Sequence, residues 1–277
     1  MPRPSPTLSA TLHALRPALA ALVQDIANLA QRGHRRRGDQ GVARKGEGDF
    51  VTAIDLRAER LLHRALTKLL PAAGFLGEET ASRDLDRDFV WVVDPIDGTS
   101  NYANGLPHYA VAVALLYRRR PVQATIWCAP EGATYEAIAG QGAFRNRKRL
   151  KLPLGHWDDR SIVGCQWHRG QQDLDFLARL QRDGARIRTF GSTVVQLADV
   201  ACGRLDGNVQ QQGRIWDLAA PGLVVEEAGG IVTDWHGKAL FPFASLELGH
   251  LPSIAAGRKV HRELVRRLQG AVVVSPK

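Results

Sequence analysis

The stretch Val92–Thr99 reads VVDPIDGT, and it decides both the local fold and the chemistry that we expect from the chain. The apolar residues at its start are β-branched, so they predict a strand that ends at Asp94. Pro95 cannot donate a hydrogen bond to a neighbouring strand, so we expect the chain to turn there. Bent around that turn, the carboxylates of Asp94 and Asp97 and the carbonyl of Ile96 would face one point.

Two carboxylates and one carbonyl are hard oxygen ligands of the kind that Mg²⁺ takes. If Gly98 and Thr99 open a helix or a nest of amides, their N–H groups would face a phosphate. Asp-Pro and Asp-Gly are also common turn dipeptides, which would explain an isolated aspartate without any function. Two aspartates at this spacing, at the end of an apolar strand and followed by Gly-Thr, favour a metal site.

Three further segments place acidic residues at the ends of apolar runs. Phe75–Thr80 (FLGEET) carries Glu78, Ile215–Ala220 (IWDLAA) carries Asp217, and Lys45–Asp55 (KGEGDFVTAID) ends in Asp55 at a predicted helix start. Taken singly, the glutamate pair is typical of solvated surface, and each aspartate is explained as a helix N-cap. Only the order of all four segments along one chain favours a shared site.

In that order the segments resemble the signature of the inositol monophosphatase family: K-x-x-x-D-x-V-T-x-x-D, then G-E-E-T, D-P-I-D-G-T and W-D-x-A-A. The resemblance covers about Lys45 to Ala256. It implies an α+β fold, the layered α/β/α/β/α sandwich of the inositol monophosphatase and fructose-1,6-bisphosphatase type. It also implies a phosphoric monoester hydrolase that uses Mg²⁺, is inhibited by Li⁺ and forms a homodimer.

The resemblance also assigns roles, residue by residue. Two Mg²⁺ ions, with a weaker third at Glu78, would be held by Glu78, Asp94, the Ile96 carbonyl, Asp97 and Asp217. Thr99 and Asp55 would orient and help to deprotonate the attacking water, with Thr52 in support. The phosphate would meet the amides of Gly98 and Thr99, and the rest of the substrate would meet Gly191, Ser192, Thr193 and Gln210. Water would attack directly, with no phosphoenzyme, because no Ser or Cys has a recognisable partner base.

The substrate is less sharply defined by the sequence. Ser100-Asn101-Tyr102 resembles members that act on inositol or sugar phosphates, and differs from the T-K-E-F of nucleotide phosphatases. Family members of the inositol type often have a glutamate where this chain has Gln210, which can hydrogen-bond but carries no charge. We therefore expect an inositol-1-phosphate-like polyol or sugar phosphate. Histidinol phosphate, fructose 1,6-bisphosphate and 3′(2′),5′-bisphosphate nucleotides stay open as alternatives.

Composition sets limits on the class of protein. The chain has 277 residues, 44% of them hydrophobic and 23% charged, and its net charge is +9, which favours anionic partners such as phosphorylated metabolites. A non-catalytic regulatory or nucleic-acid-binding protein is the alternative of another class, but no aromatic residues are interleaved with the basic runs. No apolar stretch suits a membrane span, and the N-terminus lacks a signal-peptide pattern, so we expect a cytoplasmic protein. Three scattered cysteines predict free thiols.

The periodicity of apolar residues predicts the elements and a division of the chain near residue 150. Residues 1–150 would form helices and an antiparallel sheet that carries most metal ligands, and residues 151–277 an α/β half that carries Asp217. We predict helices over Leu8–Leu29 (kinked or split at Pro17), Asp55–Leu70, Leu174–Leu180, Thr193–Ala201, Leu218–Ala228 and Lys259–Leu268. We predict strands over Phe89–Val93, Ala110–Tyr117, Val122–Cys128, Ala133–Ala139, Ser161–Cys165, Ile231–Trp235, Ser253–Ala256 and Ala271–Val274, and a loop over Gly33–Gly48.

Overall fold

The structure is a computed structural model that describes residues 5–34, 43–46, 49–80, 82–153, 155–167, 174–247 and 249–269. The predicted strand Ala271–Val274 and residues 35–42 and 47–48 of the predicted loop lie outside these ranges. Within them, no helix has both the length and the apolar character that crossing a bilayer requires. Cys128, Cys165 and Cys202 are unpaired, as predicted.

Helices and strands alternate along the chain. The helices are α1 (Pro6–His34), α2 (Ala53–Leu69), α3 (Thr99–Ala103), α4 (Asp175–Arg182), α5 (Thr193–Ala201), α6 (Ile215–Glu227) and α7 (Arg258–Leu268). The strands are β1 (Ala43–Gly46), β2 (Asp49–Val51), β3 (Gly74–Gly77), β4 (Phe89–Asp97), β5 (Ala110–Tyr117), β6 (Arg120–Cys128), β7 (Ala133–Ile138), β8 (Gly142–Arg145), β9 (Lys148–Arg149), β10 (Ile162–Gln166), β11 (Arg186–Arg188), β12 (Gly207–Gly213), β13 (Ile231–Thr233) and β14 (Leu251–Ala256).

The larger sheet has seven strands in the order β3-β4-β5-β6-β7-β8-β9. Strand β3 runs parallel to β4, and each later strand pairs antiparallel with the one before it. This confirms the predicted meander. Two basic runs of the sequence, residues 118–120 and 145–151, contain hairpin ends. Arg118 and Arg119 have φ of 49° and 64°, and the β8–β9 turn has the same left-handed backbone.

The smaller sheet has five strands in the order β11-β10-β12-β14-β13. Strand β10 runs parallel to β11 and β12, whereas β14 is antiparallel to both of its neighbours. Strand β12 has the sequence GNVQQQG, which lacks the β-branched alternation of a typical strand. The sequence analysis missed it for that reason.

The two sheets and three layers of helices form a five-layer α/β/α/β/α sandwich. Helices α1 and α2 pack on one face of the seven-stranded sheet, and α6 packs on the other. Helices α5 and α6 also contact the smaller sheet, whose outer face is covered by α4 and α7. Helix α6 is apolar all round because it lies between two sheets. The predicted fold class is confirmed, while the division at residue 150 stays a prediction.

Four local predictions need correction. Helix α1 is not split at Pro17, since Leu12, Leu15 and Leu19 bury the same face on both sides of it, and a kink there stays a prediction. Strand β4 continues to Asp97 instead of ending at Asp94. In the described part of the predicted loop, residues 33–34 end α1, and β1 pairs antiparallel with β2, which begins just after the loop. Helix α6 begins at Ile215, three residues earlier than predicted.

Helix α6 gives a test of this layering. Leu223 is fully buried between the sheets, so Leu223→Ala should lower the free energy of unfolding by about 2–5 kcal/mol through lost burial and a residual cavity. The same change at Leu61 of α2, which is 40% exposed, should cost no more than about 0.5 kcal/mol. Urea unfolding of both variants measures the difference, and equal losses would contradict the central place of α6.

Candidate metal centre

A β-bulge brings Asp94 and Asp97 to the same face of the sheet. Strand β4 pairs Asp94 with Ala112 and Asp97 with Ala110, so three steps along β4 match two steps along β5. In a regular strand, residues three apart point to opposite faces. The extra residue in the Pro95–Ile96 segment cancels that alternation, because a bulge sets two residues against one.

Asp94 is the most enclosed acid of the site. It is 1% exposed, and neither of its carboxylate oxygens has a hydrogen-bond partner among the described residues. Burial, followed by the charges of Glu78, Asp97 and Asp217, raises its pKa well above the usual range. An ionised carboxylate in this position needs a positive partner.

Asp97 is fixed by the start of helix α5. Its Oδ2 accepts hydrogen bonds from the Ser192 hydroxyl and from the Val194 amide at 2.8 Å, and its Oδ1 accepts one from the Thr193 amide at 3.2 Å. Burial raises the pKa of Asp97 to about 6, while these hydrogen bonds act to lower it. Strand β4 and helix α5, which are far apart in sequence, thus meet at this carboxylate.

Asp217 is the third residue of helix α6, and not its N-cap as the capping alternative supposed. Its Oδ2 accepts the N–H of Arg214 at 2.9 Å, which fixes the side chain at the helix start. Burial and the charge of Asp97 raise the pKa of Asp217 to about 7. Asp94, Asp97 and Asp217 each offer one carboxylate oxygen, and the three oxygens lie within 4.8 Å of one another.

Glu78 follows the last residue of β3, next to the strand that carries Asp94. Gly77 is in register with Val93 in the parallel β3–β4 pair. Glu78 and Asp94 directly follow these two residues, so both lie at the same end of the two strands. Its charge is the largest electrostatic contribution to the raised pKa of Asp94. Glu78 is nevertheless outside the group of three acids whose oxygens lie within 4.8 Å.

Thr52, Asp55 and Thr99 form a hydrogen-bonded corner beside these acids. Thr52 is the N-cap of α2, and Asp55 is its third residue, whose Oδ2 accepts the Thr52 amide at 2.9 Å and the Thr52 hydroxyl. The other oxygen, Oδ1, lies 3.3 Å from the Thr99 hydroxyl. That hydroxyl also lies 3.0 Å from the carbonyl oxygen of Ile96, so its single proton has two acceptors within reach.

Gly98 closes the turn between β4 and α3 and needs to be glycine. Its φ is 87°, and a Cβ there would lie 2.8 Å from the carbonyl oxygen of His108. The same Cβ would meet Gly191 and Ser192 at 3.2 Å, so the glycine lets the predicted phosphate turn and the predicted substrate segment approach each other. Gly98 is the N-cap of α3 and Thr99 its first residue.

Asn101 ties these two segments together, a role that the sequence analysis missed, since it named Asn101 only as part of a motif. Its Nδ2 donates to the carbonyl oxygens of His108 at 2.7 Å and of Phe190 at 2.6 Å. Asparagine is common in turns, so the sequence gives no signal for contacts that span 89 residues. Asn101 therefore helps to place Gly191 and the start of α5, where Asp97 is bound.

The predicted substrate residues differ in their surroundings. Gly191 is half-buried, whereas Ser192 and Thr193 are buried and already engaged with Asp97. Gln210 is 1% exposed in β12, and neither polar atom of its side chain has a partner in the described ranges. Contact of these residues with a substrate stays a prediction.

The donor set suits a hard cation. The clustered group consists of carboxylates alone, and Asp94 supplies two buried oxygens without partners in the described chain. Oxygen-only ligands favour Mg²⁺, Mn²⁺ or Ca²⁺ over zinc, which is bound mostly through nitrogen and sulfur. Asp94, Asp97 and Asp217 therefore fit a bound divalent cation.

Comparison with known proteins agrees with this arrangement. The model of the inositol monophosphatase family matches residues 8–272. The chain belongs to the inositol monophosphatase family. It is 36% identical over 236 residues to an inositol-1-monophosphatase of Rhizobium meliloti, which covers 82% of this chain and 86% of that protein.

Other relatives in this family carry a different name. The chain is 31% identical over 252 residues to the Nus factor SuhB of Pasteurella multocida, which covers 87% of this chain and 91% of that protein. The crystal structure of the extragenic suppressor protein suhB from Bartonella henselae matches it with a TM-score of 0.85 at 28% identity, over 94% of this chain and 100% of that one. The predicted family and fold are confirmed.

The raised pKa values predict how pH changes the effect of a metal. In the metal-free protein, Asp97 and Asp217 have pKa values of about 6 and about 7 against 3.8 as ordinary values. The protonated carboxyl groups therefore stabilise the fold at low pH, and this stabilisation is lost as pH rises through 6 to 7. A divalent cation needs ionised ligands, so it should stabilise the fold more at pH 8 than at pH 5.5.

Thermal unfolding with and without 10 mM Mg²⁺ at both pH values measures this effect. A tenfold gain in metal affinity at pH 8 corresponds to about 1.4 kcal/mol, or roughly 3–6 °C in Tm for a chain of this size. Asp217→Asn should reduce the dependence on pH. Equal metal-induced shifts at pH 5.5 and pH 8 in the native chain would contradict the assignment.

Ser192 gives a second test, because its hydroxyl bonds both the start of helix α5 and Asp97, a predicted metal ligand. It accepts the Val195 amide at 3.2 Å and donates to Asp97. Ser192→Ala should cost about 0.5–2 kcal/mol of stability and weaken Mn²⁺ binding roughly 10-fold to 100-fold. Ser245→Ala is the matched control, since Ser245 is exposed and its hydroxyl accepts the Glu247 amide at 3.0 Å. Unchanged Mn²⁺ affinity in Ser192→Ala, measured by titration calorimetry, would disprove the link.

Proposed function

We propose that the protein is a Mg²⁺-dependent phosphomonoesterase that hydrolyses a small phosphate ester by direct attack of water. The observation that carries the proposal is the buried Asp94 carboxylate, without a partner in the described chain, within a group of three aspartates whose oxygens lie within 4.8 Å. Membership of the inositol monophosphatase family supports the same reaction class.

The acids would hold the metal that the reaction needs. Glu78, Asp94, the Ile96 carbonyl, Asp97 and Asp217 are the proposed ligands. When bound, Mg²⁺ would supply the positive charge that activates water and stabilises the leaving oxygen of an in-line displacement. The chain contributes rigidity, because its carboxylates are fixed before any substrate binds. The bulge in β4 orients Asp94, the start of α5 binds Asp97, and the start of α6 fixes Asp217.

Thr99 and Asp55 would take the proton of the attacking water. If the Thr99 hydroxyl donates to Asp55, its lone pairs accept a hydrogen bond from water, and a proton can pass from water to Thr99 while the Thr99 proton passes to Asp55. Thr52 holds the second Asp55 oxygen through its amide and hydroxyl, so Asp55 keeps one oxygen aimed at Thr99. This arrangement orients water without a nucleophilic side chain.

The amides of Gly98 and Thr99 are the proposed phosphate contacts. They open α3 directly after the metal-binding strand, so a phosphate there would lie next to the proposed metal ligands. Beyond the phosphate, Gly191, Ser192, Thr193 and Gln210 would face the rest of the substrate. The neutral Gln210 supports a polyol or sugar phosphate recognised by hydrogen bonds, with histidinol phosphate and the bisphosphates as alternatives. The cytoplasmic location, the homodimer and inhibition by Li⁺ belong to this proposal as well.

A second candidate is a regulatory role that does not depend on catalysis. It is supported by the 31% identity to a protein named Nus factor SuhB and by the net charge of +9. Parts of the basic runs are neutralised within the chain, since Arg120 pairs with Glu226 and Arg145 with Glu131. Binding of RNA with steep dependence on salt, retained in Asp94→Asn, would support this second role.

Phosphate release from a panel of esters tests the first proposal. The panel is inositol 1-phosphate, glycerol 2-phosphate, histidinol phosphate, fructose 1,6-bisphosphate and adenosine 3′,5′-bisphosphate, each with Mg²⁺ and with a chelator. We expect metal-dependent release from at least one polyol or sugar phosphate, reduced by at least about 10³-fold in Asp94→Asn. Asp25→Asn, an exposed change of the same kind on α1, should keep full activity. Folded protein that binds Mg²⁺ but releases no phosphate from any ester would refute the proposal.

The role of the Thr99 hydroxyl is tested separately. Thr99→Ala removes the group between water and Asp55, so kcat should fall by about 10²–10⁴-fold. Thr99→Ser keeps the hydroxyl and should retain most of the activity. Steady-state kinetics at saturating Mg²⁺ distinguish the two, and similar kcat values for the alanine and serine variants would exclude a proton relay through Thr99.

A further inference from the structure

Glu59 is a buried carboxylate outside all of the sequence motifs. It lies on α2 four residues after Asp55, on the same side of the helix, and it is fully buried. On this face of the helix, the Asp55 side chain points towards Thr99 and the Glu59 side chain points towards the end of β3. Burying a carboxylate that is not itself a proposed ligand costs free energy of folding, so the contacts of Glu59 need a physical explanation.

Those contacts lie on both sides of Glu78. The Oε2 atom of Glu59 accepts the backbone N–H of Glu79 at 2.8 Å. The same carboxyl group lies against Gly77, where a Cβ would come within 2.5 Å of its Cδ and 2.6 Å of both oxygens. Glu59 thus contacts the residue before Glu78 and the residue after it.

The segment around Glu78 lies outside the paired part of the sheet. The ladder between β3 and β4 ends at the pair Gly77–Val93, so Glu78 lies just beyond it. At the base of the loop, Phe75 and Arg83 exchange two backbone hydrogen bonds of 2.9 and 2.8 Å. Between the ladder and that base, the Glu59 carboxylate binds the loop to α2.

We propose that Glu59 is a positioning residue for Glu78. By accepting the Glu79 amide and occupying the space that the absent side chain of Gly77 leaves, it sets where the Glu78 carboxylate lies relative to Asp94. The inference rests on the proposed function, in which Glu78 is a metal ligand. Because Glu59 acts through Glu78, its loss changes metal affinity and leaves the substrate contacts in place.

The variants separate the hydrogen bond from the bulk of the side chain. Glu59→Gln keeps an oxygen acceptor for the Glu79 amide, whereas Glu59→Leu fills a similar volume without one. If Glu59→Leu does not fold, Glu59→Asp replaces it in the experiment. Its side chain is one methylene group shorter, so the acceptor moves away from the Glu79 amide and the same result is expected. Leu62→Ala, a fully buried change one turn further along α2, is the control for lost stability alone.

Mn²⁺ binding measured by electron paramagnetic resonance gives a readout that needs no activity. We expect the dissociation constant for Mn²⁺ to rise roughly 10-fold to 100-fold in Glu59→Leu, as is typical when a residue that supports a metal ligand is removed. The dissociation constant of Glu59→Gln for Mn²⁺ should stay within about 3-fold of that of the native chain. At saturating Mg²⁺, the KM of Glu59→Gln and of Glu59→Leu for the panel ester that the native chain hydrolyses fastest should change less than about 2-fold. Leu62→Ala should lower Tm without changing Mn²⁺ affinity.

Four results would overturn the inference. Native Mn²⁺ affinity in folded Glu59→Leu or Glu59→Asp would show that Glu78 needs no support from Glu59. Equal weakening in Glu59→Gln and Glu59→Leu, or the same weakening in Leu62→Ala, would show that the hydrogen bond to Glu79 is not the cause. If the native chain itself binds no Mn²⁺ and releases no phosphate, the proposed function fails together with the inference.

Discussion

Crowding of like charges in a buried place is the constraint on which the rest of the site depends. Three aspartates bring carboxylate oxygens within 4.8 Å of one another, and two of them come from β4 while the third comes from α6. The bulge in β4 turns Asp94 and Asp97 to one face, α5 binds Asp97, and the start of α6 fixes Asp217. Burial raises all three pKa values, and repulsion from neighbouring carboxylates raises those of Asp94 and Asp217 further. A cation bound between the three groups would relieve this cost.

Two aspartates of the proposed site also take part in helix capping. Asp55 and Asp217 are each the third residue of a helix, and each accepts the amide of the residue three positions earlier through Oδ2. That hydrogen bond uses one oxygen and fixes the direction of the other. The capping explanation and the functional explanation of these aspartates, which look like alternatives in the sequence, are therefore compatible.

Much of this arrangement is predictable from the sequence because its signals are local. Apolar periodicity predicts the meander and most helices, and VVDPIDGT predicts that Asp94 and Asp97 act together. The bulge is not predictable from β4 alone, because it depends on the register with β5. The contacts of Asn101 with Phe190 and of Glu59 with Glu79 were not predicted, because these partners are distant in the chain. Strand β12 was missed because its glutamines lack a strand pattern.

The central claim is that Asp94, Asp97 and Asp217 jointly hold a divalent cation. Crystals soaked in Mn²⁺ and measured at a wavelength where manganese scatters anomalously test it most directly. We predict an anomalous difference peak within about 2.5 Å of carboxylate oxygens from all three residues, and no such peak in Asp94→Asn crystals soaked in the same way. A fully soaked native crystal with no peak between these aspartates would contradict the account.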